Sequence, residues 1–307
     1  MVEVFVSPVF LNVTSAQDRE TSTEEPVSIL GATINAFIFV AGTTGNGLVI
    51  WLMAFRTKKN VLSTWILNLA VADFVFSAFR ILAAVRDALG DQWPFGLALC
   101  KLSVFVKHVN LYTSVFILAI ISIDRCLLVT SPVWSRNHRT ARLSSTISFA
   151  SWCLAAILSM PHMLFRGTSL KGTRIKCTFE GTEDHIKLVL YLIRFTFSFF
   201  IPFMVITTCY LAIAVKIKKR QRTHSRRFFQ IISVIILTFF LSWFPYHIVS
   251  LLKFTQVSRS SLKVAYSLAA GLAYLNSCIN PLLYCFMGYL TKQSLSSLLR
   301  NVLSDGQ

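Results

Sequence analysis

Asp124 and Arg125 stand side by side at the end of a long apolar run, SVFILAIISIDR from Ser114 to Arg125. Such a pair is costly in hydrocarbon and belongs near an interface or a polar cavity, where it marks function by default. Lys107 lies about five helical turns earlier, or ~27 Å, close to one bilayer core. One face of one helix therefore carries a cation at each side of a membrane, the upper one placed to meet a ligand and the lower one to act as a switch. At the upper level the sequence also offers Arg80, His108, Arg194, Tyr246 and Lys253, with no carboxylate at that depth. Arg80 stands two turns above Asp73 and Lys253 two turns above Tyr246, a spacing that lets both point inward. The alternative for Arg80, Arg86 and Lys253 is to snorkel toward the headgroups. Arg166, Lys171, Arg174 and Lys176 add positive charge near Cys177. A guanidinium donates two parallel hydrogen bonds to a carboxylate. The pattern predicts an anionic ligand: a peptide C-terminus, an acidic side chain or a fatty-acid carboxylate.

A second polar set lies deeper. Asn46, Asn68, Asp73, Asn276 and Asn280 all fall within apolar blocks, where lipid supplies no partner, and they are expected to meet in a hydrated interior network. Asp73 needs water, an asparagine cluster or a cation there, and Na+ is the one bound ion the sequence suggests. No other cofactor and no metal centre is expected.

These groups need a scaffold. The chain has 307 residues, 54% of them hydrophobic and only 14% charged, and its mean hydropathy is +0.62. That lies outside the soluble range and describes an all-α polytopic membrane protein. The net charge is +17, but its pattern is not that of a nucleic-acid binder. The basic clusters are Arg56, Lys58 and Lys59; Arg136, Arg139 and Arg142; Lys216 to Arg227; and Lys292 with Arg300. They fall in alternate loops, as the positive-inside bias requires. Seven apolar blocks are predicted, at roughly 28–55, 61–86, 97–130, 143–165, 186–217, 226–254 and 260–287, each holding the ~20 residues that span a bilayer. The expected organisation is an extracellular segment over 1–27, a seven-span domain over 28–287, and a cytoplasmic tail over 288–307. An amphipathic helix is predicted at 289–302 in that tail.

The acidic N-terminal segment is placed outside and carries Asn12-Val13-Thr14, a glycosylation acceptor. It shows no convincing cleavable signal peptide. Cys100 and Cys177 both fall outside, where an oxidising compartment supports a disulfide. The other five cysteines lie in apolar blocks or at their inner ends, as small hydrophobes. Pro161, Pro202, Pro245 and Pro281 each free a carbonyl within a span. Trp243 beside Pro245 makes the latter a candidate pivot.

The motifs, taken in order, resemble a class A (rhodopsin-like) G-protein-coupled receptor over all seven spans. They are Gly45-Asn46; Leu69-Ala70-Val71-Ala72-Asp73; Cys100; Asp124-Arg125-Cys126; Trp152; Pro202 with Tyr210; Phe239 and Trp243-Phe244-Pro245; and Asn280-Pro281-Leu282-Leu283-Tyr284. Finer features resemble the leukocyte chemoattractant branch, with its formyl-peptide, chemerin, anaphylatoxin and type-two prostaglandin D receptors. The carriers are the run from Pro132 to Thr140, PVWSRNHRT; Arg194-Phe195; and Trp243-Phe244-Pro245-Tyr246-His247. The resemblance implies a plasma-membrane receptor that couples a heterotrimeric G protein, of the inhibitory class, through Asp124, Arg125, Tyr210, Phe239, Trp243, Pro245, Asn280, Pro281 and Tyr284. Arg194 resembles the basic residue that chemoattractant receptors place in the fifth span.

The chain departs from the family in several places. Cys126 stands for the usual tyrosine and Ser242 for a cysteine, and His108 aligns with the third-span acid of formyl-peptide receptors. The start of the sixth block, Arg226-Arg227-Phe228-Phe229-Gln230, has no carboxylate for Arg125, so Asp124 is expected to be its main restraint.

Three other functions compete with this reading. The sequence shows no metal-ligand cluster, phosphate loop or Ser/His/Asp set, which argues against an enzyme. A transporter would have buried Asp73 and a line of cations in its favour, but no internal repeat is visible. A non-signalling scavenger would exploit the Cys126 and Ser242 departures. The tail after Tyr289 offers only Thr291, Ser294, Ser296, Ser297 and Ser304 for phosphorylation, so weak arrestin recruitment is expected.

Overall fold

The computed structural model describes residues 8–220, 226–255 and 259–286. The 289–302 segment and the side chains of Asn12 and Tyr284 lie outside what it describes, as do the side chains that open the sixth span. The long helices are α1 (Pro8–Trp51), α2 (Val61–Ala88), α3 (Gly96–Thr130) and α5 (Ala141–Leu164), with a short α4 (Pro132–His138) between the last two. A fifth span follows from α6 (Asp184–Phe195), a π-helical turn (Thr196–Phe200) and α7 (Ile201–Arg220); α8 (Arg226–Leu252) and α9 (Arg259–Phe286) complete the bundle. The helix of the first span begins well before residue 28, its apolar part running Pro26–Arg56. Five described helices are long and apolar enough to cross a membrane, with a shorter apolar stretch at Ile236–Leu252.

Local chemistry explains the element ends. Asn60 and Ser63 close a reciprocal capping box at the start of α2, with the Asn60 side chain accepting from the Ser63 N–H at 2.9 Å. Thr140 caps α5 through the Leu143 N–H. In the fifth span Pro202 cannot donate to the carbonyl four residues earlier. The helix widens into its π turn just before that proline, and the Ser198 hydroxyl bonds the Arg194 carbonyl at 2.7 Å. Gly45 brings α1 against α9, since a Cβ there would sit 3.1 Å from the Pro281 ring. Phe76, Val115, Ile117, Leu118 and Phe239 fill the interior, while Phe37, Phe149, Leu211 and Leu241 are exposed on the outside of the bundle. Exposed apolar residues are the natural outer surface of a protein solvated by lipid.

Outside the spans the helical description is incomplete. An antiparallel hairpin of β1 (Arg166–Lys171) and β2 (Arg174–Phe179) connects α5 to α6. It is anchored at four points. Cys177 is disulfide-bonded to Cys100 on α3, the Cα atoms 5.7 Å apart. The Trp93 N–H donates to the Ile175 carbonyl at 2.8 Å, Lys176 pairs with Asp91 at 2.8 Å, and Arg174 bonds the Gly90 carbonyl. Closing a loop across a sequence separation of 77 residues restricts the unfolded chain by ~4 kcal/mol in the loop-entropy picture. Cys177→Ser is expected to lower the thermal midpoint of the detergent-solubilised protein by several degrees and to reduce its surface expression. An unchanged midpoint would show that the other three anchors suffice.

Candidate functional site

Beneath the hairpin, a small, narrow cleft is lined by Lys107, His108, His162, Arg166 and Arg194 together with Phe179, Leu190, Tyr191 and Tyr266. The spacing along α3 puts Lys107 and His108 on its wall, the disulfide-pinned hairpin turns Arg166 inward, and the α6 end supplies Arg194. Arg194 is only 3% exposed. Its guanidinium lies over the Tyr191 ring at 4.5 Å and the Tyr246 ring at 4.9 Å, and Nη1 donates to the Tyr246 hydroxyl at 3.2 Å. Its Nε is buried without a partner. Arg166 lies over Phe179 at 4.2 Å, and its Nε is likewise unpartnered. Burial draws the Arg166 guanidinium below its ordinary pKa, the neighbouring Tyr191, Tyr266 and Tyr246 working against that shift and Arg194 with it. Among the described residues, three basic side chains thus share a cleft with no carboxylate on its walls.

Some of the expected residues lie elsewhere. Arg80 is buried, so it does not snorkel, but it stacks on Phe76 at 4.5 Å and Tyr274 at 4.9 Å and does not line the cleft. Spacing fixed its face; the aromatic pair beside it fixed its direction. Lys253 is exposed, with its ammonium 3.2 Å from the centre of the Tyr266 ring. Arg86 is tied to Asp87, at 2.8 Å from Nε, and to Asp91. Arg174 and Lys176 are held by the loop before α3, so of the four basic hairpin residues only Arg166 lines the cleft. His162, Tyr191 and Tyr266 were not singled out from sequence. A lone histidine or tyrosine in an apolar block carries no signal distinguishing cleft from core.

The cleft connects downward through aromatic rings. Tyr246, held by Arg194, lies edge-on to Trp243 at 5.5 Å, and Trp243 lies 6.0 Å from Phe239. Pro245 lies within α8, between Trp243 and Tyr246 in the chain. Deeper still, Asp73 accepts from Asn110 at 2.9 Å and Asn280 at 2.7 Å, with the Ser277 hydroxyl as a further donor. Asn46 donates to the Ser277 carbonyl at 2.9 Å, and Asn276 is buried one turn before Asn280. Asn68 departs from the expected network and instead accepts from Trp152 Nε1 at 2.9 Å. Asn110, which the sequence reading passed over, takes the place beside Asp73.

At the inner end Asp124 has two basic neighbours. Arg139, just past α4, binds it bidentately at 2.8 and 3.2 Å, while Arg125 approaches at 3.4 Å. Asp124 does contact Arg125, as expected, but the carboxylate is shared, and its shorter contacts go to Arg139. Tyr210 is half-buried on α7, and Asn280 and Pro281 are buried on α9.

A seven-span bundle with this shared acid, aromatic column and disulfide-pinned hairpin defines a receptor of the rhodopsin type. The family model for the 7 transmembrane receptor (rhodopsin family) matches residues 45–284, and the chain belongs to that family. Within it the chain falls in the chemoattractant branch. It is 39% identical to mouse chemerin-like receptor 1 over 297 residues, covering 89% of this chain and 80% of that one. It is 36% identical to mouse formyl peptide receptor 2, covering 91% and 86%, and 38% identical to N-formyl peptide receptor 2 of Macaca mulatta, covering 86% and 80%. The chain is a G-protein-coupled receptor of the plasma membrane, not an enzyme, and a G protein is its partner.

Proposed function

We propose that the receptor binds an extracellular anionic ligand, a peptide with a free carboxylate or a lipid acid, and activates an inhibitory-class G protein. The observation that carries this is the cleft itself: Lys107, Arg166 and Arg194 line it with no acid among them, and two guanidinium Nε atoms are buried without partners. A carboxylate would relieve the repulsion and satisfy those donors together. Tyr246 couples the event inward, because any anion that draws Arg194 toward itself competes for the donor that now holds this tyrosine. Tyr246 is packed on Trp243 beside Pro245, so α8 is the element positioned to respond. The orientation follows the charge pattern, with the 1–27 segment glycosylated at Asn12 outside and the 288–307 tail inside.

Asp73 is the group that would hold Na+. It is buried with donors on both oxygens and, among the described residues, no cationic side chain bonded to it, and the Ser114 hydroxyl, one turn beyond Asn110, is buried and unpartnered. Asp73, Ser114 and Asn280 would supply its oxygens, and the ion would neutralise the carboxylate.

The test is a screen of acidic peptides and fatty acids on receptor-expressing cells, read as suppression of cAMP. An active acid is expected to lose its effect on amidation and to gain affinity when Na+ is replaced by N-methylglucamine. A cationic agonist, or a response that survives Lys107→Ala and Arg194→Ala together, would refute the anionic reading.

A further inference from the structure

In its neutral form the His108 ring has one proton to place, and its neighbours decide where. Nδ1 lies 2.8 Å from the Val104 carbonyl oxygen, one turn earlier on α3. A carbonyl can only accept, so Nδ1 carries the hydrogen and Nε2 keeps a bare lone pair. A second proton would add a fourth positive charge to a cleft already lined by Lys107, Arg166 and Arg194. His108 is 2% exposed, and its Nε2 is buried with no partner. The His162 ring cannot supply a donor. It is stacked face to face on His108, centroids 3.9 Å apart and planes inclined by 7°, so its own N–H bonds point along a parallel plane. The cleft therefore combines two guanidiniums whose Nε atoms need an acceptor with a His108 ring nitrogen that needs a donor.

A fatty acid brings oxygens only and would leave His108 Nε2 as it is. A peptide C-terminus brings both halves, because the amide N–H of its last residue sits on the carbon that bears the carboxylate. We infer that His108 Nε2 accepts this N–H while the cationic walls take the carboxylate, so that His108 selects N-acyl amino acids, the chemistry of a peptide C-terminus, over simple carboxylic acids. This inference rests on the carboxylate reading above and adds to it the donor that must accompany the charge. Phe179, Tyr191 and Tyr266 on the same walls suit an aromatic side chain on that last residue.

The experiment uses the full-length receptor in lipid nanodiscs and three small probes, titrated by ligand-observed NMR. They are N-acetyl-L-phenylalanine, O-acetyl-L-phenyllactate, in which oxygen replaces the N–H, and N-acetyl-L-phenylalaninamide, which lacks the carboxylate. The amide acid should bind about tenfold more tightly than its ester analogue, the worth of one buried hydrogen bond. His108→Phe keeps a ring for stacking but cannot accept, and it should bring the amide acid down to the ester. His108→Gln returns an acceptor oxygen and should restore part of the difference. Both variants are compared with the parent for their ligand-free thermal midpoint. Equal affinity of amide acid and ester in the parent, with the carboxamide still inactive, would overturn the role of His108 and leave the carboxylate reading intact. A carboxamide that binds as well as the acid, or no binding by either acid, would overturn the carboxylate reading and this inference with it.

Discussion

Alanine at position 194 is expected to weaken a carboxylate-bearing agonist by roughly 30- to 4,000-fold, the range for truncating one partner of a desolvated charge contact. Arg194 stands at the upper part of that range for a structural reason. It is almost fully buried, its charge rests on the Tyr191 and Tyr246 rings, and it holds the Tyr246 hydroxyl. Its removal deletes a ligand contact and also the tether of a tyrosine packed on Trp243. Arg194→Lys should recover only part of the loss, because an ammonium cannot reproduce the planar fork or its stacking on aromatic faces. Competition binding with the acid and its amide on parent and Arg194→Ala receptors separates the two contributions. Either change alone should cost about the same, and the two together little more. Additive losses would show that the carboxylate binds elsewhere in the cleft.

Much of this arrangement was legible in the sequence because lipid imposes simple demands. Each span needs an apolar run of sufficient length, and ionisable residues within one are rare enough that Lys107, Arg194, Asp73 and Asp124 could be picked out singly. Helical spacing then gave each its level and face. It could not give the neighbour. Arg80 has the right height and face, yet Phe76 and Tyr274 hold it off the cleft. Asn68 was grouped with Asp73 by depth, and Trp152 claims it. The hairpin was illegible for another reason. Strands of six residues containing Gly167, Lys171, Arg174 and Lys176 have no alternating apolar face, and their register is fixed by Cys100, Trp93 and Asp91 from elsewhere in the chain. His162 illustrates the same limit within a helix. Its place on the cleft wall, stacked against His108, is what distinguishes it from a core residue.

At the cytoplasmic end, Arg139→Ala is expected to lower basal nucleotide exchange and Asp124→Asn to raise it, although both substitutions break the same ion pair. The structure places Asp124 between two guanidiniums, with Arg139 at 2.8 Å and Arg125 at 3.4 Å. A carboxylate shared in this way holds Arg125 less firmly than one devoted to it. Taking Arg139 away returns the full charge of Asp124 to Arg125, deepens the resting state and reduces spontaneous activation. Neutralising Asp124 leaves Arg125 without that restraint and shifts the population the other way, since the equilibrium moves by the difference in what each state loses. A change of ~1 kcal/mol in either direction alters the ratio of states about fivefold, well within reach of a basal GTPγS-binding assay on membranes. Arg125→Ala should abolish agonist-driven exchange while leaving agonist binding within a few-fold. These three results fix the order of the contacts. If Arg139→Ala raised basal exchange as Asp124→Asn does, Arg139 would be acting as a clamp that stiffens Asp124 in place and helps it restrain Arg125, and the two arginines would be partners in the resting lock instead of rivals for one acid.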